Sequence, residues 1–150
     1  MSWKNTHELF IVYDIRMGDI LDPKHEALME HLFHRICTIL HMPGFEIKPL
    51  RRRVRGKGKL RSYALGYTRL DSKIITIDFY TPRTSIPRKI DAILRVIAHE
   101  LAHHQEPPKI FQSWFRRVRK IHHPAFWQQV KKNVTLLQQD EVCGVYFEKK

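Results

Sequence analysis

The chain has 150 residues, 43% of them hydrophobic, and a formal net charge of +12. This length and apolar content predict one folded domain over residues 1–150 and exclude a mainly disordered chain. No stretch approaches 18 consecutive apolar residues, and residues 1–8 do not resemble a secretion signal. We therefore expect a monomer in the cytoplasm, nucleoid or nucleus, with no membrane contact.

The N-terminal third predicts one helix. Leu9–Tyr13 fits either a short strand or the start of a helix, and its pattern does not decide between them. Asp22-Pro23 is typical of a helix start, because Asp caps the first turn and Pro is tolerated at the first helical position. Apolar residues then recur at helical spacing until Pro43-Gly44, which ends the helix.

The pattern changes from helical spacing to alternation after this helix. Segments 45–50, 62–67 and 74–80 contain alternating, β-branched or aromatic residues, which predicts three strands. A glycine-bearing basic turn, 51–61, and a second turn, 69–73, separate them. We therefore expect a three-stranded antiparallel β-meander.

A second helix is predicted from residue 86 into the segment 99–103. Its apolar residues fall on one helical stripe: Ile90, Ile93, Leu94, Ile97, Ala98 and Leu101. Ser85 or Thr84 is expected to cap this helix, with Pro87 in its first turn. Pro107-Pro108 ends the pattern.

Two more helices are predicted in the C-terminal third. A stripe of apolar residues at helical spacing predicts an amphipathic helix with these side chains in the core: Ile110, Phe111, Trp114, Phe115, Val118 and Ile121. A final helix begins at Pro124, and 142–147 fits a last strand. The predicted fold class is therefore α+β, in the order N-terminal helix, β-meander, second helix and C-terminal helices.

The segment 99–103 reads His-Glu-Leu-Ala-His. Positions i and i+4 share one face of a helix, so His99 and His103 can direct two imidazoles at one point, with Glu100 beside them. A catalytic zinc ion requires such a pair, a third ligand from elsewhere and a nearby carboxylate. The apolar helix around the motif favours this interpretation over structural histidines. The sequence thus predicts one catalytic Zn²⁺, with Glu100 as general base.

The residues alone leave the third ligand open. The candidates are Glu106, His104, His122, His123 and Asp140. A helix turns about 100° per residue, so His104 points away from the ion that His103 would bind. His122 and His123 precede a helix, where a fixed backbone can present a ligand, and they are the better source.

Basic residues cluster in two segments of the chain. The first cluster consists of Arg51, Arg52, Arg53, Arg55, Lys57, Lys59 and Arg61. The second cluster, on the predicted amphipathic helix, consists of Arg116, Arg117, Arg119 and Lys120. A strongly positive and clustered charge favours polyanions, so these residues predict contact with DNA.

The two cysteines, Cys37 and Cys143, lie far apart in the sequence and form no Cys-x-x-Cys pair. They supply neither a disulfide framework nor a zinc ribbon. We expect two reduced thiols, in agreement with the predicted location in the cell.

The motifs resemble a known family. The His-Glu-Leu-Ala-His segment, followed by a His-x-Pro-x-Phe element over 122–126, is similar to the SprT-like (Spartan-type) zinc metalloproteases. Ala64–Tyr67 and Ile74–Ile77 are similar to the strands that precede the metal-binding helix in that family. Alignment through Phe126 implies His122 as the third ligand, whereas alignment through Trp127 implies His123. We prefer the first, because Pro124 then also matches.

The resemblance implies a zincin-like fold and a zinc endopeptidase that cleaves DNA-bound or DNA-crosslinked proteins, as in DNA–protein crosslink repair. The chain departs from the family where His123 replaces a small residue, and no zinc ribbon follows the domain. The resemblance assigns His99, His103 and His122 to the metal and Glu100 to catalysis. The oxyanion donor stays open among Tyr146, Tyr80 and an Arg.

Two other functions remain possible from the sequence. A metal-dependent hydrolase acting on nucleic acid itself suits the positive charge, although one metal beside a His-Glu pair suits amide hydrolysis better. A non-catalytic DNA-binding domain with a structural zinc is the second. Structural zinc sites usually fill four positions, commonly with Cys, and this chain has no Cys pair.

Overall fold

The computed structural model describes residues 22–51, 65–82 and 84–148. Over these residues the fold is α+β, as predicted. The elements in chain order are α1 (Pro23–Ile39), β1 (Glu46–Pro49), β2 (Gly66–Thr68), β3 (Ile74–Ile77), α2 (Ile90–Gln105), β4 (Lys109–Gln112), β5 (Arg117–Lys120), α3 (Pro124–Gln139) and a 3₁₀ helix (Gly144–Phe147). The predictions for Leu9–Tyr13 and for the cluster members from Arg52 to Arg61 lie outside the described residues.

The three-stranded sheet has the order β1-β3-β2, with β1 parallel and β2 antiparallel to β3. The predicted antiparallel meander is therefore wrong in both order and direction. Residues 75–77 of β3 are all buried, which is typical of a central strand covered on both faces. Alternation in the sequence identifies the strands but contains no information about which pairs form.

The hydrophobic core lies between this sheet and the helices α1 and α2. Its fully buried side chains come from all three elements: Met29, Phe33, Ile36, Ile75, Ile77, Ile93, Leu94, Ile97 and Leu101. Leu137 of α3 and Cys143 close it from the C-terminal side. Both cysteines are buried and unpaired, as expected. No helix in the described ranges is long and apolar enough to span a membrane.

The helix starts were predicted with mixed success. The Asp22 carboxylate accepts a hydrogen bond from the backbone N–H of His25 at 3.1 Å and caps α1, as predicted. The predicted cap of α2 at Ser85 or Thr84 is wrong, because the helix begins at Ile90 without a side-chain cap. The preceding residues form a turn in which the Ser85 N–H donates to the Thr81 carbonyl oxygen, and Pro87 then forms an isolated β-bridge with Tyr80.

The predicted amphipathic helix over 110–121 is a β-hairpin. β4 and β5 pair antiparallel, from Lys109 opposite Lys120 to Gln112 opposite Arg117. Trp114 and Phe115 form the turn and are 93% and 94% exposed. The rest of the stripe is exposed or half-buried as well, so its predicted place in the core is also wrong: Ile110, Phe111, Val118 and Ile121. Ile, Phe and Val favour strands as well, and a turn of four residues brings these apolar side chains to helical spacing by coincidence.

The C-terminal segment also differs from its prediction. α3 begins at Pro124 as expected, but 144–147 form a 3₁₀ helix instead of a strand. The Asp140 carboxylate organises this turn, because it accepts hydrogen bonds from the backbone N–H groups of Val142 and Cys143, each at 3.0 Å. It also pairs with Arg35 at 2.7 Å, which ties the end of α3 to α1.

Candidate metal centre

Two elements bring three histidines to one point. His99 and His103 lie one turn apart on α2, with ring centroids 5.0 Å apart. His122, between β5 and α3, lies with its ring 5.2 Å from that of His99 and 5.0 Å from that of His103. One nitrogen of each ring lies within 4.8 Å of the others, and this is a cluster that could hold a metal ion.

Aromatic residues at the start of α3 support the three imidazoles. The Phe126 ring is buried and stacks on His103 at 4.5 Å with an interplanar angle of 28°. The same ring meets His99 edge-on at 5.0 Å and lies 4.9 Å from His122. Trp127 covers His99 and His122 from the outer side, at 5.6 and 5.4 Å. These contacts restrict the orientation of all three rings.

His123 points away from the cluster and is 1% exposed. Its Nδ1 accepts the backbone N–H of Phe126 at 3.3 Å and caps α3. Because Nδ1 accepts, Nε2 carries the proton and donates to the carbonyl oxygen of Pro107 at 2.9 Å. Both ring nitrogens are therefore used in holding the backbone that presents His122.

The other candidate ligands also have separate partners. His104 Nε2 donates to the Thr68 hydroxyl at 2.7 Å, which in turn donates to the carbonyl oxygen of Ile74. Glu106 lies 3.8 Å from the Lys109 ammonium. Asp140 pairs with Arg35 as described. The contact between His104 and Thr68 fixes β2 against α2 and so positions one wall of the site.

The Glu100 carboxylate lies beside the cluster, with one oxygen 3.9 Å from Nε2 of His99. Glu100 is only 6% exposed, and burial raises its pKa to about 7. Burial disfavours the charged form of a carboxylate, and no described cation lies close enough to reverse this effect. A carboxyl group with a pKa near neutrality can both accept and return a proton at physiological pH.

Burial also keeps two of the histidines neutral. It lowers the pKa of His99, with a further lowering by His122, and it lowers that of His103 to about 4, with smaller effects from His99 and His122. Neutral imidazole is the form that binds a metal. The ring nitrogens of His99 and His103 that face the cluster therefore carry no extra proton at neutral pH.

Asn133 ties α3 to α2 next to the cluster. Its fully buried amide donates to the carbonyl oxygen of Ala98 at 3.1 Å and to Gln105 Oε1 at 2.7 Å. Gln129 donates to the Asn133 side-chain oxygen at 2.9 Å. This network spans the helical turns that carry His99 and His103, and it holds the two helices at a fixed separation.

The cluster opens onto a cleft of about 430 Å³. β2 and the following turn form one wall, and the base of the β4–β5 hairpin forms the other. The wall residues are Gly66, Tyr67, Thr68, Leu70, Pro108, Arg119 and Ile121. Gly66 allows β2 to lie close to its neighbours, because a Cβ there would come within 2.9 Å of the Thr76 carbonyl oxygen.

Of the oxyanion donors suggested by the sequence, the two tyrosines lie elsewhere, whereas an arginine is present. The buried Tyr80 hydroxyl donates to Glu26 at 2.7 Å, and neither Tyr80 nor Tyr146 lines the cleft. Tyr67 and Arg119 do line it. The sequence did not identify Tyr67 as a cleft residue. Tyr67 reaches the cleft because β2 is an edge strand of the sheet, and no local pattern in the sequence predicts that position.

The described members of the two basic clusters differ in their surroundings. Arg51 pairs with Glu26 at 2.7 Å, next to the start of α1. On the hairpin, Arg119 faces the cleft, and Lys120 lies on the opposite face with its ammonium 5.2 Å from the centre of the Phe111 ring. Contact of these residues with DNA stays a prediction.

Comparisons with known proteins give one distant likeness. No protein-family model matches the sequence, and no curated protein does. Among solved structures, the fold is similar to the metallopeptidase zymogen abylysin of Pyrococcus abyssi, with 16% sequence identity and a TM-score of 0.41. The match covers 78% of this chain and 86% of that chain.

Proposed function

We propose that the chain is a zinc-dependent endopeptidase in which His99, His103 and His122 hold the ion and Glu100 is the general base. The observation that carries this proposal is the convergence of three imidazoles within 4.8 Å, with a buried carboxylate 3.9 Å from one of them, at the bottom of an open cleft. A catalytic site needs all three features, whereas a structural site needs no carboxylate base and no opening.

The donor set fits zinc. Three imidazole nitrogens are a common ligand set for catalytic zinc, and they leave one position open. Cysteine is absent from the cluster, and the single nearby carboxylate lies beside the imidazoles, so the oxygen-rich shell that Mg²⁺ and Ca²⁺ require is not present among the described residues. The lowered pKa of His99 and His103 keeps these ligands neutral and ready to bind.

A bound zinc ion supplies Lewis acidity, which polarises a carbonyl group and makes water a stronger nucleophile at neutral pH. Glu100 takes the proton from the attacking water and passes it to the leaving amine. Its raised pKa, about 7, suits both transfers. The walls formed by Tyr67 and Ile121 orient an extended peptide across the cleft, and His123 and Phe126 keep the imidazoles in place.

We further propose that the chain belongs with the SprT-like metalloproteases and that DNA-bound proteins are among its substrates. The motif at 99–103 and the element at 122–126 support the family assignment, and the positive charge supports the substrate. If several phosphates are contacted, binding to DNA should weaken steeply with salt. Absence of binding at low salt removes DNA from the proposal and leaves a peptidase.

The test compares wild type with Glu100→Gln and His122→Ala. We expect one zinc per wild-type chain by mass spectrometry, digestion of casein, and loss of digestion after treatment with a chelator. Glu100→Gln should keep the zinc and lose digestion, whereas His122→Ala should lose both. Cleavage of plain RNA or DNA with casein left intact would favour the nucleic-acid hydrolase. Casein digestion by Glu100→Gln at the wild-type rate would contradict the proposed mechanism.

A further inference from the structure

The hairpin wall of the cleft carries a cation close to the cluster. Arg119 lines the same cleft as His99, Glu100, His103 and His122, and it lies three residues before His122 in the chain. We propose that Arg119, assisted by Arg117, binds a carboxylate group of the substrate, so that the cleft selects peptides with an acidic group beside the bond that is cleaved. This inference rests on the proposed peptidase function and adds the substrate class.

The register of the hairpin determines which side chains face the cleft. Arg119 pairs with Ile110 and Arg117 pairs with Gln112, so these four residues share one face. Lys109, Phe111 and Lys120 belong to the other face, where the Phe111 ring lies 6.5 Å from the ring of buried His123. Arg117 therefore continues the line of Arg119 along the cleft side, one pleat further from the cluster.

The two arginines are available for a ligand. Neither forms an ion pair with an acidic residue in the described ranges, whereas Arg35, Arg51 and Arg69 each have a carboxylate partner. Arginine presents a planar set of donors that matches a carboxylate with two parallel hydrogen bonds. The neighbouring wall residues are apolar or neutral, so Arg119 is the charged group of this wall.

The cleft suits a peptide carboxylate better than a nucleic acid. A polynucleotide requires a groove with a run of cations along its backbone and aromatic platforms for its bases. The described cleft is lined by a single arginine, which matches one carboxylate and provides no run of cations for a phosphate chain. Lys109 and Lys120, on the other face of the hairpin, cannot extend this cleft into such a groove.

The test measures binding, so it does not depend on turnover. Zinc-loaded Glu100→Gln protein is titrated against nine-residue Ala/Leu peptides with a neutral fluorophore and an amidated C-terminus. Each carries one Glu or one Gln, moved through the positions. We expect one position at which Glu binds about two- to fivefold more tightly than Gln, the range for an accessible charge pair. A Gln peptide with a free C-terminal carboxylate tests whether the group comes from the chain end.

Variants assign the effect to the proposed residues. Arg119→Gln should remove the preference for Glu, Arg119→Lys should retain part of it, and Arg117→Gln should reduce it. Lys109→Gln is the matched control, because it removes one positive charge from the opposite face of the same hairpin and should leave the preference unchanged. Circular dichroism confirms that each variant is folded.

Three results would overturn this inference. The first is equal or undetectable binding of the Glu and Gln peptides at every position. The second is equal loss of the preference in Arg119→Gln and Lys109→Gln, which would indicate an effect of overall positive charge. The third comes from a thymidine 20-mer titrated in parallel: if Arg119→Gln loses only the binding of this oligonucleotide, Arg119 binds nucleic acid. If wild type digests casein but the peptides show no preference for Glu, the inference about Arg119 is rejected and the peptidase function is kept. If the peptides show a preference for Glu but the protein binds no zinc and digests no casein, the peptidase function is rejected and the carboxylate site is kept.

Discussion

His123 Nε2 donates a hydrogen bond to the carbonyl oxygen of Pro107 at 2.9 Å, across 16 residues of sequence. This bond joins the segment after α2 to the segment before α3. Since the ring also caps α3, His123 fixes the backbone on both sides of the hairpin. The adjacent His122 is thereby presented to His99 and His103. The two neighbouring histidines thus have different roles: His123 holds the backbone in place, and His122 belongs to the cluster.

Substitution of the two neighbours should separate these tasks. His122→Ala should abolish zinc binding and activity while the metal-free protein keeps its stability, because the side chain is exposed. His123→Ala should lower the free energy of unfolding of the metal-free protein by about 1–3 kcal/mol, since it removes a helix cap and a buried hydrogen bond. Urea unfolding in the presence of a chelator measures both.

His123→Asn is the control, because Asn can cap the helix but is too short to reach Pro107 in the same way. It should recover part of the lost stability. If His123→Ala removes the zinc while His122→Ala retains it, the assignment of the third ligand is wrong and belongs to His123.

Phe126 should matter for both stability and the metal. Phe126→Ala removes a fully buried ring that contacts all three imidazoles, so we expect a loss of about 3–5 kcal/mol and weaker zinc binding. Phe126→Leu should restore part of the packing without the stacked contact to His103. The contrast is Trp114→Ala at the exposed turn, for which we expect a change within about 0.5 kcal/mol.

These variants also test whether Trp114 is exposed and Phe126 is buried, as the structure has them. Urea unfolding of the metal-free proteins gives the stability, and competition with a chromophoric chelator gives the zinc affinity. A Trp114→Ala protein as unstable as Phe126→Ala would mean that the turn packs against the core, in conflict with its exposure. Wild-type zinc affinity in Phe126→Leu would show that the stacked ring is dispensable for orienting His103.

The sequence predicted the features that depend on neighbouring residues. The Asp22-Pro23 start of α1, the Pro124 start of α3 and the one-turn spacing of His99 and His103 follow from local rules of helix geometry and capping. The residues alone favoured His122 or His123 as the third ligand, and only the family resemblance favoured His122 over its neighbour. The structure brings the three rings together, and their roles await the experiments above.

The features that depend on distant residues were not predictable in the same way. The place of β3 between β1 and β2 results from burial on both faces, which no local pattern encodes. The role of His123 depends on Pro107, and the accessibility of Arg119 depends on the register of a hairpin that resembles a helix in spacing. In each case the partner lies beyond the window in which sequence periodicity is informative.

Gly66 should be intolerant of a side chain. A Cβ at this position would lie 2.9 Å from the Thr76 carbonyl oxygen and 3.1 Å from Val96, so β2 would have to move away from β3 and α2. We expect Gly66→Ala to lower the free energy of unfolding by about 1–3 kcal/mol, as overpacking does. Because β2 forms a wall of the cleft, the KM for peptides should rise more than kcat falls.

Leu65→Ala, at the exposed neighbouring position, is the control for Gly66→Ala. It should change the free energy of unfolding and the KM for peptides little. Urea unfolding and steady-state kinetics on the same preparations provide the comparison. Unchanged stability in Gly66→Ala would show that β2 can move at no cost in free energy. The close contact between β2 and α2 would then not determine the shape of the cleft.

The Arg35–Asp140 pair should make the free energy of unfolding depend on pH in the acid range. The Arg35 guanidinium, with the backbone N–H groups of Val142 and Cys143, lowers the pKa of Asp140 to about 2. A pKa lower in the folded than in the unfolded chain, where it is about 4, stabilises the protein above that value. This contribution should be complete near pH 5 and should disappear as the pH falls from about 4 to about 2.

Asp140→Asn should therefore be less stable than wild type at pH 7, and the difference should shrink steadily as the pH approaches 2. Urea unfolding of the metal-free proteins at a series of pH values measures it. Asp71→Asn is the matched control, because Asp71 pairs with Arg69 at 2.8 Å but both side chains are exposed, so solvent screens the interaction. A constant difference between Asp140→Asn and wild type down to pH 2 would mean that hydrogen bonds to the 3₁₀ turn, and not the charge of Asp140, stabilise this end of the molecule.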